Sequence, residues 1–324
     1  MKVTPYQGNH PEWDKFVREA KNATFLHERA YMDYHRARFD DASLLIRDDD
    51  DKPLAVLPAH NIEFGTLASH VGLTYGGLLV PNGIKLPEYL ALFDTLLSHL
   101  KSTGARTLQI NTSPFIYHAR PADEILVAMY LLNALTVRTC ALSVIPPGGE
   151  LHYEERRRRG INKAERCKLY IAEMADTHDD WCEMWRIVES VLPDRPTHTV
   201  EEIIRLKRAF PWHIRPYACY AGDEILAGIV LYVTPKVARF QYIATSEKGK
   251  AWGAGDLLAS HIIEIYNQLG LFIDLGTSSD ETGKQLARGI LDYKEGWGAR
   301  TVAYSHYAVD VAGYHPGFLR EALK

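Results

Sequence analysis

The sequence predicts a mixed α/β protein of two successive domains built on one plan. A length of 324 residues suits two domains of ~150 residues each. A pattern of hairpin, third strand, helix, strand, helix and strand occurs twice in the same order. Between the two occurrences lies IPPGGE, Ile145 to Glu150, whose prolines and glycines break any regular element. The expected domains are therefore 1–147 and 148–324. Two copies with a long period indicate an internal duplication, not a solenoid.

In the first half, SLLIRDDDDKPLAVLPAHNIEF reads as a strand, an acidic turn and a strand. SHVGLTYGGLLV reads as a third strand, LPEYLALFDTLLSHLKSTG as a helix ended by its glycine, ARTLQIN as a strand, and DEILVAMYLLNALTVRTCALSVI as a helix and a strand. The second half opens with HYEERRRRGINKAER, a helix with Glu154 and Arg158, and Glu155 and Arg159, at i, i+4 spacing. Helices are expected around Trp181 to Leu192 and Thr199 to Ala209, then a hairpin with a Gly-Asp turn in HIRPYACYAGDEILAGIVLYVT. ARFQYIATS, dense in aromatic and β-branched residues, is a strand. EKGKAWGAGD is a Gly-rich loop. DLLASHIIEIYNQLG is a helix with Leu258, His261, Ile262 and Ile265 on one face and Gly270 at its end. LFIDLGTSS is a short buried strand, and LARGILDYKEGWGAR a lysine-bearing loop.

Composition fits a large globular protein, with 46% hydrophobic and 24% charged residues. A net charge of −4 argues against general nucleic-acid binding. No apolar run approaches the ~18 residues of a membrane span, and MKVTPYQGNHPEW has no signal-peptide core. Cys140, Cys167, Cys182 and Cys219 are isolated and form no Cys/His cluster, so they read as core residues of a reduced, cytoplasmic protein, and no metal is expected. Neither G-x-S-x-G nor H-E-x-x-H occurs, against a serine hydrolase or a zinc peptidase.

Within EKGKAWGAGD, Lys250, Gly253 and Gly255 stand at K-x-x-G-x-G, with Ala254 between the glycines. A glycine turn feeding a helix leaves backbone N–H groups at the positive end of the helix dipole, where phosphate binds. The bland alternative is a plain strand-to-helix connection. The dinucleotide and Walker fingerprints are absent. The order of strand, glycine turn, helix and strand resembles the acyl-CoA-binding half of the GNAT acyltransferase superfamily, whose Q/R-x-x-G-x-G/A amides cradle the coenzyme A pyrophosphate. This chain has lysine in place of Gln or Arg, a point charge in place of a fork.

Downstream, FIDLGTSSDETGKQLARGILDYKEGWGAR resembles the D-x-G…F-K-x-x-F-G ending of the Fem-type branch. Asp274 and Gly276 match D-x-G, Tyr293 and Lys294 stand at F-K, and Trp297 and Gly298 at F-G. ERRRRGINKAERCKLYIAE resembles the basic helix that opens the second domain of Fem-type proteins. The resemblance implies two tandem GNAT-like domains, each a mixed, mostly antiparallel twisted sheet flanked by helices. It also implies acyl-CoA as donor, or an aminoacyl-tRNA.

Several side chains then become candidates. Acyl transfer needs a cation or amide donor against the oxyanion that forms when an amine attacks a thioester, a role open to Lys294, which otherwise reads as a surface lysine. Asp274 either positions the amine or caps the following turn. Ser278, Ser279 and Glu281 lie at the carboxyl end of a strand, where ligands of α/β sheets collect, although as loop residues they also suit a plain turn, and Tyr293, beside Lys294 at the F-K position, is a further substrate-binding candidate. Arg156 to Arg159 read as a solvated face or as phosphate ligands, with Arg158 the chosen contact, since four successive arginines cannot face one way. Tyr34, His35, Tyr75 and Gly76 are candidates for an acceptor pocket, with a packed ring at a bulge as the alternative for Tyr75. His35 and His70 have a base's ordinary pKa. The expected activity is N-acyl transfer from acyl-CoA to a primary amine of a small acceptor, with tRNA-dependent aminoacyl transfer and a non-catalytic binding protein as alternatives.

Overall fold

The computed structural model describes residues 1–63, 65–192, 196–280 and 282–323. Its chain forms two compact units, Met1–Cys140 with Ala303–Lys324, and Ala141–Val302. The division thus falls a few residues before IPPGGE, and the tail, which the sequence leaves with the second domain, packs with the first unit. Strand pairing explains the difference and has no local signature.

In the first unit, β1 (Lys2–Pro5), α1 (His10–Glu19), α2 (Arg29–Met32) and β2 (Asp40–Asp41) precede the hairpin of β3 (Leu44–Arg47) and β4 (Pro53–Leu57). The acidic turn closes as expected: Asp48 accepts from the Lys52 N–H at 2.9 Å, and Asp51 takes a left-handed φ of 67°. β1, β3 and β4 make a three-stranded antiparallel sheet. β5 (His60–Asn61) and β6 (Thr66–Ala68) follow, then α3 (Leu86–Ser102), β7 (Thr107–Asn111), α4 (Glu124–Leu131) and β8 (Leu135–Ile145), whose residues up to Cys140 belong here. β6 and β7 run parallel on either side of α3. SHVGLTYGGLLV is not a strand: among the described residues its ladder pairing is limited to isolated bridges at Gly76 and Leu79. Its glycines explain this. A Cβ on Gly76 would collide with the Ser69 carbonyl oxygen, and Gly77 has φ +103°. The core of this unit gathers Phe93, Leu96 and Leu97 of α3 around Leu57, Leu108 and Ile110 of the sheets.

In the second unit, α5 (Glu155–Arg166), β9 (Tyr170–Glu173), α6 (His178–Val191) and α7 (Val200–Ala209) lead to β10 (Ile214–Ala221), β11 (Glu224–Val233) and β12 (Val237–Thr245), an antiparallel meander. EKGKAWGAGD is not an open loop. Ser246 caps a helical turn, α8 (Glu247–Trp252), by accepting from the Gly249 N–H at 3.1 Å, and Gly253 ends it with φ +80° before α9 (Ala254–Gln268) begins. β13 (Phe272–Thr277) returns parallel to β12 and pairs on its other side with the end of β8. LARGILDYKEGWGAR is helical over α10 (Arg288–Glu295), not a loop. The core packs Leu258, Ile262 and Ile263 of α9 onto Ile229, Leu231 and Ile273, with Trp297 buried at one end. β14 (Arg300–Asp310) pairs from His306 to Asp310 with β7 in the first unit, and α11 (Phe318–Glu321) packs beside α3 there. Each unit therefore holds a parallel strand pair across a helix in an otherwise antiparallel setting.

No helix among the described residues is long and apolar enough to cross a membrane. All four cysteines are free, and burial pushes the Cys219 thiol up to about 12, which keeps it unreactive.

Candidate active site

The parallel pairing of β12 and β13 covers three residue pairs and stops at Arg239 and Asp274. Beyond that point β12 runs on to Thr245 and β13 to Thr277 without pairing to each other, each still paired on its outer side, so the two strands part there. Ile243, Ala244 and Thr245 on the open edge of β12 form one wall of a cleft of about 580 Å³. The Gly253–Gly255 turn forms another, with the start of α9, whose first N–H groups have no helical acceptors. The third wall is α5, with Arg156, Arg157, Arg159, Gly160 and Lys163. A volume of this size suits a small-molecule ligand.

The glycines make this arrangement by close packing. A Cβ on Gly253 would fall on the Gly160 carbonyl oxygen, one on Gly255 on Thr245 Oγ1, and one on Gly160 on the Asp256 carboxylate. Arg157 is buried, pairs with Asp256, and stacks over the rings of Tyr293 at 4.7 Å and Trp297 at 5.6 Å. Its charge is thus spent inside the wall. Burial still pushes Asp256 above the usual carboxylate range, against the downward pull of Arg157. Lys250 lines the cleft but is bonded to Glu247 at 2.6 Å and half exposed. Among the described residues, Arg156, Arg159 and Lys163 show no ion pair; at i, i+3 and i+7 they form one cationic stripe along α5.

Arg158 is elsewhere. It is solvated and pairs with Glu155 at 3.3 Å, in place of the expected Glu154 pairing. Glu154 instead ends up as the residue capping α5, its N–H bonded to the Gly296 carbonyl.

Lys294 is buried in the last turn of α10, and its Nζ donates to the Thr277 carbonyl at 2.7 Å. Burial, with a smaller push from Arg239, takes its pKa down to about 8 against the upward pull of Asp274. Asp274 is fully buried; one oxygen accepts from Arg239 at 2.6 Å and the other from the Gly276 N–H at 2.7 Å, so it does cap the following turn. Tyr293, one residue before, lines the cleft, and burial pushes its hydroxyl up to about 12. Ser278 and Ser279 hold buried hydroxyls that meet no partner among the described residues. Glu281 lies outside the described residues.

Tyr34, His35, Tyr75 and Gly76 are in the first unit. His35 is buried in a ring cluster with Tyr34 at 4.2 Å, Phe39 at 4.9 Å and His70 at 5.2 Å. Burial takes His70 down to about 3, too low for a base at neutral pH. Tyr75 is packed at 4.5 Å against Tyr117, its hydroxyl 3.2 Å from Thr24 Oγ1. Gly76 is fixed by its approach to Ser69. No described group of three or more His, Cys, Asp or Glu residues is arranged to hold a metal ion.

Residues 153–295 match the acetyltransferase (GNAT) domain family. The match falls within the second unit. The whole chain shares its fold with solved structures: FemX, at 11% identity and a TM-score of 0.68 over 96% of this chain and 98% of that one; L-PGS from Bacillus licheniformis, at 11% identity and 0.60 over 94% and 93%; and a tandem GNAT protein from the clavulanic acid biosynthesis pathway, at 10% identity and 0.51 over 97% and 99%. No curated protein matches the sequence. The fold is shared with FemX and with a tandem GNAT protein, and the parted strands, the glycine turn and the cleft all lie within the residues that match the acetyltransferase (GNAT) domain family.

Proposed function

We propose that this protein is an N-acyltransferase that moves an acyl group from acyl-CoA to a primary amine of a small acceptor, an amino sugar or amino compound of surface-polysaccharide metabolism, by direct transfer. The observation that carries the reading is the single cleft in which the start of α9 faces the stripe Arg156, Arg159 and Lys163. Phosphates held there meet helix N–H groups from one side and arginine forks from the other. Bound acyl-CoA supplies the activated thioester. The cleft walls hold it against the amine and remove much of the entropic barrier. The Lys294 ammonium stabilises the negative charge that develops on the carbonyl oxygen, and Tyr293 links it to the cleft wall.

A second reading, aminoacyl transfer from a tRNA, draws support from the same stripe and from the near full-length likeness to FemX. Thermal shift with acetyl-CoA, coenzyme A and an aminoacyl-tRNA analogue separates the two. A ligand at 100 times its Kd adds roughly 2.7 kcal/mol. Stabilisation by the CoA compounds that is lost in Arg159→Glu supports the first reading. A salt-sensitive response to the tRNA analogue alone supports the second. With a donor in hand, unchanged turnover in Lys294→Ala would sink the role given to that lysine, and no turnover with any donor favours a binding protein.

A further inference from the structure

Lys294 stands beside a carboxylate that it does not bind. Its Nζ is held by the Thr277 carbonyl, while both oxygens of the neighbouring Asp274 are taken by Arg239 and by the Gly276 N–H. A buried ammonium near an unclaimed buried carboxylate would pair with it, because their attraction is far stronger there than in water. Arginine is the better competitor for that carboxylate, with its planar fork of donors. Asp274 is fully buried and Arg239 only slightly exposed, so the contest is decided inside the protein.

Gly276 shows what the arrangement leaves open. With φ +77° and no side chain, it leaves a position where a Cβ would meet, among the described residues and beyond its chain neighbours, Lys294 Nζ and Arg239 Nη2 within 4 Å, each at 3.8 Å. Both are cationic nitrogens. Negative charge developing in that space is met from two sides, and any side chain at 276 would fill it.

We propose that Arg239 is the positioning residue of this site: by holding Asp274, it keeps the Lys294 ammonium on Thr277 with its remaining donors turned to the space beside Gly276. This rests on the role given to Lys294 above. Among the described residues, the charged groups acting on Lys294 are Asp274 of β13, which raises its pKa, and Arg239 of β12, which lowers it.

The test is the titration of Lys294 in the full chain, read by trace labelling with acetic anhydride across pH and quantified by mass spectrometry. The wild-type midpoint is expected near 8. Arg239→Gln removes a cation and frees the carboxylate, so the midpoint rises by about one pH unit or more. Asp274→Asn removes only the anion and leaves Arg239 in place, so the midpoint falls. Arg239→Lys keeps the charge and stays near the wild-type value, which covers the case in which a neutral variant fails to fold. A merely structural ion pair would send Arg239→Gln and Asp274→Asn the same way, toward the ordinary lysine value of 10.5. That result, or an Arg239→Gln midpoint equal to wild type, overturns the inference. Turnover of Lys294→Ala judges the role of Lys294 separately, so the two failures are distinct.

Discussion

Replacing Arg157 by methionine removes a buried cation and leaves its partner behind. The Arg157 side chain is 7% exposed and Asp256 19%. Breaking a buried pair from one side costs about 3–5 kcal/mol. Because Asp256 keeps some water, the lower end applies. The lost stacking on Tyr293 and Trp297 is offset by the methionine's own contacts with those rings. We expect a loss of about 3 kcal/mol, or a fall of about 6–12 °C in the melting of the second unit. Tryptophan fluorescence reports it, since Trp13 is the sole tryptophan of the first unit. The pH dependence has a definite sign. Asp256 already sits above the usual carboxylate range, and without Arg157 it rises further. The folded state then holds a proton that the unfolded chain releases, so the deficit grows as pH rises above ~4 and fades below it. Adding Asp256→Asn restores at least half of the loss at neutral pH. A deficit under 1 kcal/mol, or no recovery in the double variant, refutes the account of a buried charge left unpaired.

Other outcomes follow from the same geometry. Gly253→Ala puts a Cβ at a left-handed position and against Gly160, and should cost at least ~2 kcal/mol in urea unfolding. Gly160→Ala strikes the other side of that contact, so the two losses should fall short of additive. Converting Arg156, Arg159 and Lys163 to serine removes three partly solvated charges of about 0.5–1 kcal/mol each. Coenzyme A binding, followed by calorimetry, should weaken about 10–100-fold at low salt and lose most of its salt dependence; unchanged binding would place the phosphates elsewhere. In the first unit, burial holds His27 near 4 and His70 near 3, below the ordinary 6.5. The unfolded chain therefore takes up protons first, and stability should fall as pH drops below 6.5 toward those values, less steeply in His70→Asn.

Periodicity and turn chemistry made much of the fold legible. The hairpins, α3, α9, β12 and β13 follow from apolar spacing and from glycine at helix ends. SHVGLTYGGLLV misleads because its apolar residues suit a strand while Gly76 and Gly77 serve contacts that no short window reveals. EKGKAWGAGD looks like a loop by its glycines, yet Ser246 at the cap and Gly253 at the stop were signs of a helical turn. The return of the tail to the first unit is a pairing between β14 and β7, nearly two hundred positions apart, and leaves no local trace. Of the residues that line the cleft, Lys250, Gly253, Gly255 and Tyr293 stand out in the sequence by pattern. Arg239 does not stand out, because one arginine inside a strand says nothing until its partner at 274 is known.

The four consecutive arginines show how much a helix decides beyond composition. At about 100° per residue, Arg157 and Ala164 share the buried face, Arg156, Arg159 and Lys163 share the cleft, and Arg158 turns to solvent. The run is therefore neither a solvated face nor a uniform ligand patch. Arg157 locks α5 to α9 through Asp256, and Gly160 lets the two helices touch. Once they are locked, the cations of one helix and the first N–H groups of the other necessarily face the same space. The anion site proposed there needs no further element, because the contacts that fold this corner also bring its charges together.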